Sequence, residues 1–108
     1  MADSLKVLGQ VIPSAGVLTP LYTPAGSSAV VSSVLACNRG SAAARFRLAV
    51  AVAAAADDPK QYLYYDQILA PFTTFAVTLG IALATTDAIR VQSDTGTVAF
   101  NAFGVEVT

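Results

Sequence analysis

Turn signals punctuate this chain roughly every 8–12 residues, and between them side chains alternate instead of following a helical stripe. The breaks fall at Pro13-Ser14-Ala15-Gly16, Pro24-Ala25-Gly26-Ser27-Ser28, Asn38-Arg39-Gly40-Ser41, Asp57-Asp58-Pro59, Pro71 and Ser93-Asp94-Thr95-Gly96. Segments that short cannot hold a stable isolated helix, which needs about 12–15 residues in water. They suit strands. The spacing predicts an all-β chain, an antiparallel β-sandwich or jelly roll of about eight short strands, with residues 1–108 as one domain.

The segments are read as follows. Lys6 to Gln10 starts the series, and Val17 to Thr23 resumes it with Pro20 marking an edge or a bulge. Ala29 to Asn38 alternates, with Val30, Ser32, Val34 and Ala36 on one face and Val31, Ser33, Leu35 and Cys37 on the other. Arg45 to Val52 alternates most cleanly: Phe46, Leu48, Val50 and Val52 point inward, and Arg45, Arg47, Ala49 and Ala51 outward. Ala53 to Ala56 has helical propensity but is cut off by Asp57-Asp58-Pro59, so it is read as a strand end and loop. Gln61 to Asp66 puts Tyr62 and Tyr64 on one face and Leu63 and Tyr65 on the other. Thr73 to Leu79 follows, then Ile81 and Leu83, then Ile89 and Val91 after Asp87. Thr97 to Val107 places Val98, Phe100 and Ala102 on one side of the pleat. The last two strands, joined by Ser93 to Gly96, are expected to close the sandwich as a hairpin, with no arm trailing beyond them.

Composition narrows what such a domain does. Of the 59 hydrophobic residues 21 are alanine, and only 12% of the chain is charged, about half the usual share. Ser, Thr, Ala and Gln must cover much of the surface, which fits a subunit packed against neighbours. The formal charge of −1 and the scattered basic residues give no pull toward nucleic acid or an anionic membrane, and neither is expected as a partner. The longest apolar run, Leu48 to Ala56, is too short to span a bilayer as a helix. Met1-Ala2-Asp3-Ser4 does not read as a signal peptide, so synthesis in a cytoplasm is expected.

Reactive chemistry is sparse. The chain has no His, which removes Ser-His-Asp and Cys-His pairs, and the single Cys37 cannot form an internal disulfide. Cys37 is read as a small buried hydrophobe. No Gly-rich phosphate loop and no zinc ligand set occurs, so no catalytic residue, metal or cofactor is expected. Asp57 and Asp58 suit a turn and, less simply, calcium. An enzyme would need Asp66, Asp87 or Glu106 to meet in a cleft. The candidate interface residues are Arg45 and Arg47, two apart on an outer face, and Tyr62, Tyr64 and Tyr65, the one aromatic concentration. The arginines suit a phosphate, a neighbour's carboxylate or cross-strand pairing. The tyrosines suit a core, a subunit interface or a stacked sugar.

Several segments in combination resemble small structural proteins of tailed bacteriophages: Lys6-Val7-Leu8-Gly9-Gln10, Leu21-Tyr22-Thr23-Pro24-Ala25-Gly26, Val30-Val31-Ser32-Ser33, Cys37-Asn38-Arg39, Gln61-Tyr62-Leu63-Tyr64-Tyr65-Asp66 and Phe103-Gly104-Val105-Glu106-Val107. Leu83 to Val91 also resembles the strand entry of viral jelly rolls, where a turn Asp precedes an alternating strand. The resemblance implies a virion component, foremost a head decoration or cement protein. Such a protein would sit on the capsid surface as a homotrimer, clamp neighbouring major capsid subunits and carry no catalytic residues. The alternative is a tail, neck or fibre module with a host-glycan or receptor-binding role.

Overall fold

The computed structural model describes residues 3–25 and 28–107, so Gly26 and Ser27 of the second expected turn, and Met1 and Ala2, lie outside the described residues. Eight strands are found among them: β1 Asp3–Val11, β2 Thr19–Tyr22, β3 Ser28–Asn38, β4 Ala44–Ala51, β5 Tyr62–Leu69, β6 Thr74–Leu83, β7 Ala88–Ser93 and β8 Val98–Val107. Two single 3-10 turns, Val52–Ala54 and Pro59–Gln61, lie between β4 and β5. The strands form two four-stranded sheets, ordered β1-β8-β3-β6 and β2-β7-β4-β5, which pack as a β-sandwich.

The pairing follows one rule: β1 joins β8, β2 joins β7, β3 joins β6 and β4 joins β5, all antiparallel. The chain is a long hairpin folded at residues 52–61 and rolled up, with β3·β8 and β4·β7 pairings joining the rolls. Every connection except β4 to β5 crosses from one sheet to the other. This corrects the expected closing hairpin. β7 and β8 do not pair, because Ser93 to Thr97 carries the chain between sheets; β7 lies beside β2 and β4, and β8 beside β1 and β3.

The core lies between the sheets. Phe46, Leu48, Ile89 and Val91 meet Val31, Val34, Val98, Phe100 and Ala102. The Phe46 ring stands 5.9 Å from Phe100 and 5.5 Å from Phe75. At one end, buried Asn38 binds three loops: its Nδ2 donates to the carbonyls of Ala42, Leu69 and Ala70, and its Oδ1 accepts from Gly40 N and Thr97 Oγ1. At Gly104 the pleat brings the Val30 carbonyl so close that any Cβ would overlap it.

Three expected faces change. In β3 a bulge between Val31 and Ser33 resets the alternation, so Ala29, Val31, Val34 and Ala36 are buried and Val30 is exposed. In β4, Phe46 and Leu48 do point inward. Ala49 and Ala51, expected outside, are fully buried because residues 52–61 fold over that face. Val50, half-buried, packs against the core as expected, but Val52 lies beyond the strand, exposed. Cys37 is also half-buried, with its thiol free.

The two outer faces differ in kind. On the first sheet the register aligns Leu5, Val105, Val30 and Ala82 in one row, and Val7, Phe103, Ser33 and Thr78 in the next. Gln10, Asn101, Leu35 and Ala76 form a third row, and Ala99, Cys37 and Thr74 a fourth. None of these residues is charged. Leu5 is 84% exposed and Val7 50%. At the usual strand and row spacings this patch covers on the order of 400 Å². The second sheet's outer face carries Arg45, Arg47, Asp66 and Arg90.

Candidate functional site

The outer face of the second sheet bears a cleft of about 420 Å³ lined by Arg47, Asp57, Pro59, Tyr62 and Tyr65. Two irregularities in β5 build it. Leu48 pairs with Tyr64 and Ala49 with Tyr62, so Leu63 is an extra residue. Phe46 pairs with Gln67, so Arg47 faces two residues, Tyr65 and Asp66. Asp66 sits at φ 54, the left-handed region that lets the strand swell.

These bulges correct the expected pairing of Tyr62 with Tyr64. Tyr64 turns into the core, 6.1 Å from Phe46 and 5.4 Å from Phe75. Tyr62 instead meets Tyr65 edge to face, with ring centres 5.1 Å apart and planes at 89°. Arg47 engages both bulge residues. Its guanidinium lies 4.0 Å over the Tyr65 ring, and it donates from Nε to Asp66 Oδ1 at 2.7 Å and from Nη2 to Oδ2 at 3.3 Å. The Asp66 hydrogen bond holds Arg47 above its ordinary pKa, and the Arg47 hydrogen bond holds Asp66 below the usual carboxylate value. Of the sequence candidates, the fold therefore brings together Arg47, Tyr62 and Tyr65. Arg45 stands exposed at the margin, where its backbone N–H donates to Asp94 Oδ1. A narrow groove of about 90 Å³ beside it is lined in part by Arg45, Arg47, Asp66 and Gln92.

Residues 52–61 wall the cleft. Tyr62 donates its phenol proton to Asp57 Oδ1 at 2.7 Å, and burial followed by this bond pushes the Tyr62 pKa up. Asp58 caps the turn after it through Lys60 N, and Pro59 stiffens its first residue. Ala53 and Ala54 both adopt φ 54, a costly conformation for alanine. Asp87 holds them there by accepting from the N–H groups of Ala53 and Ala84, and Arg90 by donating to the carbonyls of Ala54 and Ala55. Gln61 Nε2 donates to the Ala56 carbonyl, while its buried Oε1 has no hydrogen-bond partner.

Asp57 and Asp58 thus serve separate partners, and no group of three or more metal-binding side chains occurs among the described residues. Asp66, Asp87 and Glu106 are also engaged apart: Asp66 with Arg47, Asp87 with the two backbone N–H groups, Glu106 with Lys6 at 2.6 Å and with the Tyr22 hydroxyl. Sequence reasoning missed Asp57 and Pro59 as lining of the cleft and Asp66 as the partner of Arg47. The Tyr65-Asp66 dipeptide opposite an arginine would have pointed to Asp66 only with the bulge in hand. The chain matches no protein-family model, and no curated protein is detectably similar to it.

Proposed function

We propose that the chain is a structural protein of a tailed-bacteriophage virion, a decoration or cement protein on the outer surface of the head. The observation that carries this reading is the block of four uncharged, largely apolar rows on the outer face of the first sheet, from Leu5 to Cys37, opposite a second sheet that holds charges. An apolar patch of several hundred Å² is often a functional surface. The strand order, read as a jelly roll, supports it too, since viral capsid domains share that architecture. So do the strand and turn segments that resemble phage structural proteins.

In this reading the first sheet lies against major capsid subunits and the second faces solvent. The patch is about half the roughly 800 Å² that one partner contributes to a standard interface. Further contact would come from a homotrimer, whose three weak attachments act together. The test uses particles of the phage that encodes the chain. Mass spectrometry of separated heads and tails is expected to find the protein in heads, and a particle map to place its first sheet on the shell. Val30→Lys, on the open face, is expected to abolish head binding with an unchanged melting temperature. Protein present in tails and absent from heads overturns the reading. It would then favour a tail, neck or fibre module with a receptor-binding role, which the Tyr62–Tyr65 cleft supports.

A further inference from the structure

We propose that the cleft formed by Arg47, Asp57, Pro59, Tyr62 and Tyr65 is a binding site for a neutral hexopyranose. Its size, about 420 Å³, lies in the range of small-molecule sites. Three features select the ligand class. The first is an open aromatic platform. Tyr65 is 60% exposed; Arg47 covers one face of its ring and Tyr62 meets it at right angles, so the ring is held in place and the opposite face is left for a ligand. A pyranose presents a flat C–H face to such a ring.

The second is a rim of fixed donors and acceptors. Arg47 gives Nε and one Nη2 N–H to Asp66, which orients the guanidinium, and a side-chain hydrogen bond also links it to Tyr62, leaving two of its five N–H bonds for a ligand. Asp57 accepts from Tyr62 through Oδ1 and retains the lone pairs of Oδ2. Neighbouring ring hydroxyls each donate and accept, and so match a guanidinium and a carboxylate side by side. A purely apolar ligand would leave these groups desolvated and unpaired.

The third is charge. Asp66 already balances Arg47, and Asp57 offsets the neighbouring Arg45, so the site has no excess positive charge to draw carboxylates and phosphates. That argues against a nucleotide or an acidic sugar. The site stands apart from shell docking, because it lies on the opposite outer face from Leu5, Val7 and Val30.

The test is a titration of the isotope-labelled protein, followed by amide chemical shifts. The probes are methyl β-D-galactopyranoside, methyl α-D-glucopyranoside and methyl α-D-mannopyranoside, with D-galacturonate as the anionic counterpart. At least one neutral glycoside is expected to give saturable shifts at Arg47, Tyr62 and Tyr65, with Kd on the order of 1–10 mM. Tyr65→Ala is expected to weaken binding about tenfold or more, and Tyr62→Phe, which keeps the ring and frees Asp57, about threefold. Phe72→Ala, an exposed ring elsewhere, and Val30→Lys are expected to leave it unchanged. No saturable shift with any neutral glycoside overturns the proposal, as does tighter binding of galacturonate or an unaltered Kd in Tyr65→Ala. Head binding is measured separately on the same variants, so loss of either function does not imply loss of the other.

Discussion

Asn38 bears the most on a single side chain. It is fully buried, and its amide meets groups from the β3–β4, β5–β6 and β7–β8 connections. Truncation leaves the buried Leu69 carbonyl without its partner, at a cost of about 1–3 kcal/mol, and three part-buried backbone groups that water reaches more easily. Asn38→Ala is therefore expected to destabilise the fold by about 3 kcal/mol overall, after partial rescue by water, read as a lower urea midpoint. A change below about 0.5 kcal/mol would mean those loops hold one another without it. Nothing in the sequence marked Asn38 beyond its place in a turn signal. The groups that make it central come from residues 42, 69, 70 and 97, which only the fold assembles. Phe46 and Leu48 were legible, because burial on one face of a strand follows local alternation.

Strands were visible in sequence where their alternation was unbroken and misread where a bulge intervened. β8 kept its inward face, and β4 kept Phe46, Leu48 and Val50 but not Val52. β3 and β5 did not, since a bulge is set by what the partner strand requires: Ser32 against β8, Leu63 and the Tyr65-Asp66 pair against β4. For this reason Arg47 and the tyrosines could be named from sequence but not their arrangement. Residues 52–61 depend in the same way on remote anchors, Asp87 and Arg90. Asp87→Ala is expected to release Ala53 and Ala84, raising their amide exchange rates about tenfold while the β-strand amides keep theirs. Unchanged exchange at Ala53 would show that the alanines hold the left-handed conformation unaided.

Stability of the whole molecule should depend on pH at its two extremes. Asp66 is lowered by Arg47, Asp87 by the Ala53 and Ala84 N–H groups, and Glu106 by Lys6 and then Tyr22, from ordinary values of 3.8, 3.8 and 4.5. A lowered carboxylate stabilises the fold above its unfolded value, and that contribution drains as pH falls through the folded one. Tyr22, raised by burial and by Glu106, and Tyr62, raised by burial and by Asp57, act at the other end. Their stabilisation is complete below 10.0 and is lost as pH rises through the higher folded values. With no His between, the melting temperature is expected to be level from about pH 5 to 9 and to fall on both sides. A slope near neutrality would point to a group outside these five. The strand count was legible at this scale, but the pairing of β1 with β8 was not, because sequence alternation does not name partners. The four outermost strands carry a last consequence. Pro20 removes an N–H from β2, and register breaks interrupt β1, β5 and β6. A chain this poor in charge has every reason to stack into endless ribbons, and its sheet margins are spoiled for that purpose. Edge-to-edge growth is opposed, which leaves the faces of the sheets, not their margins, as the surfaces open to a partner.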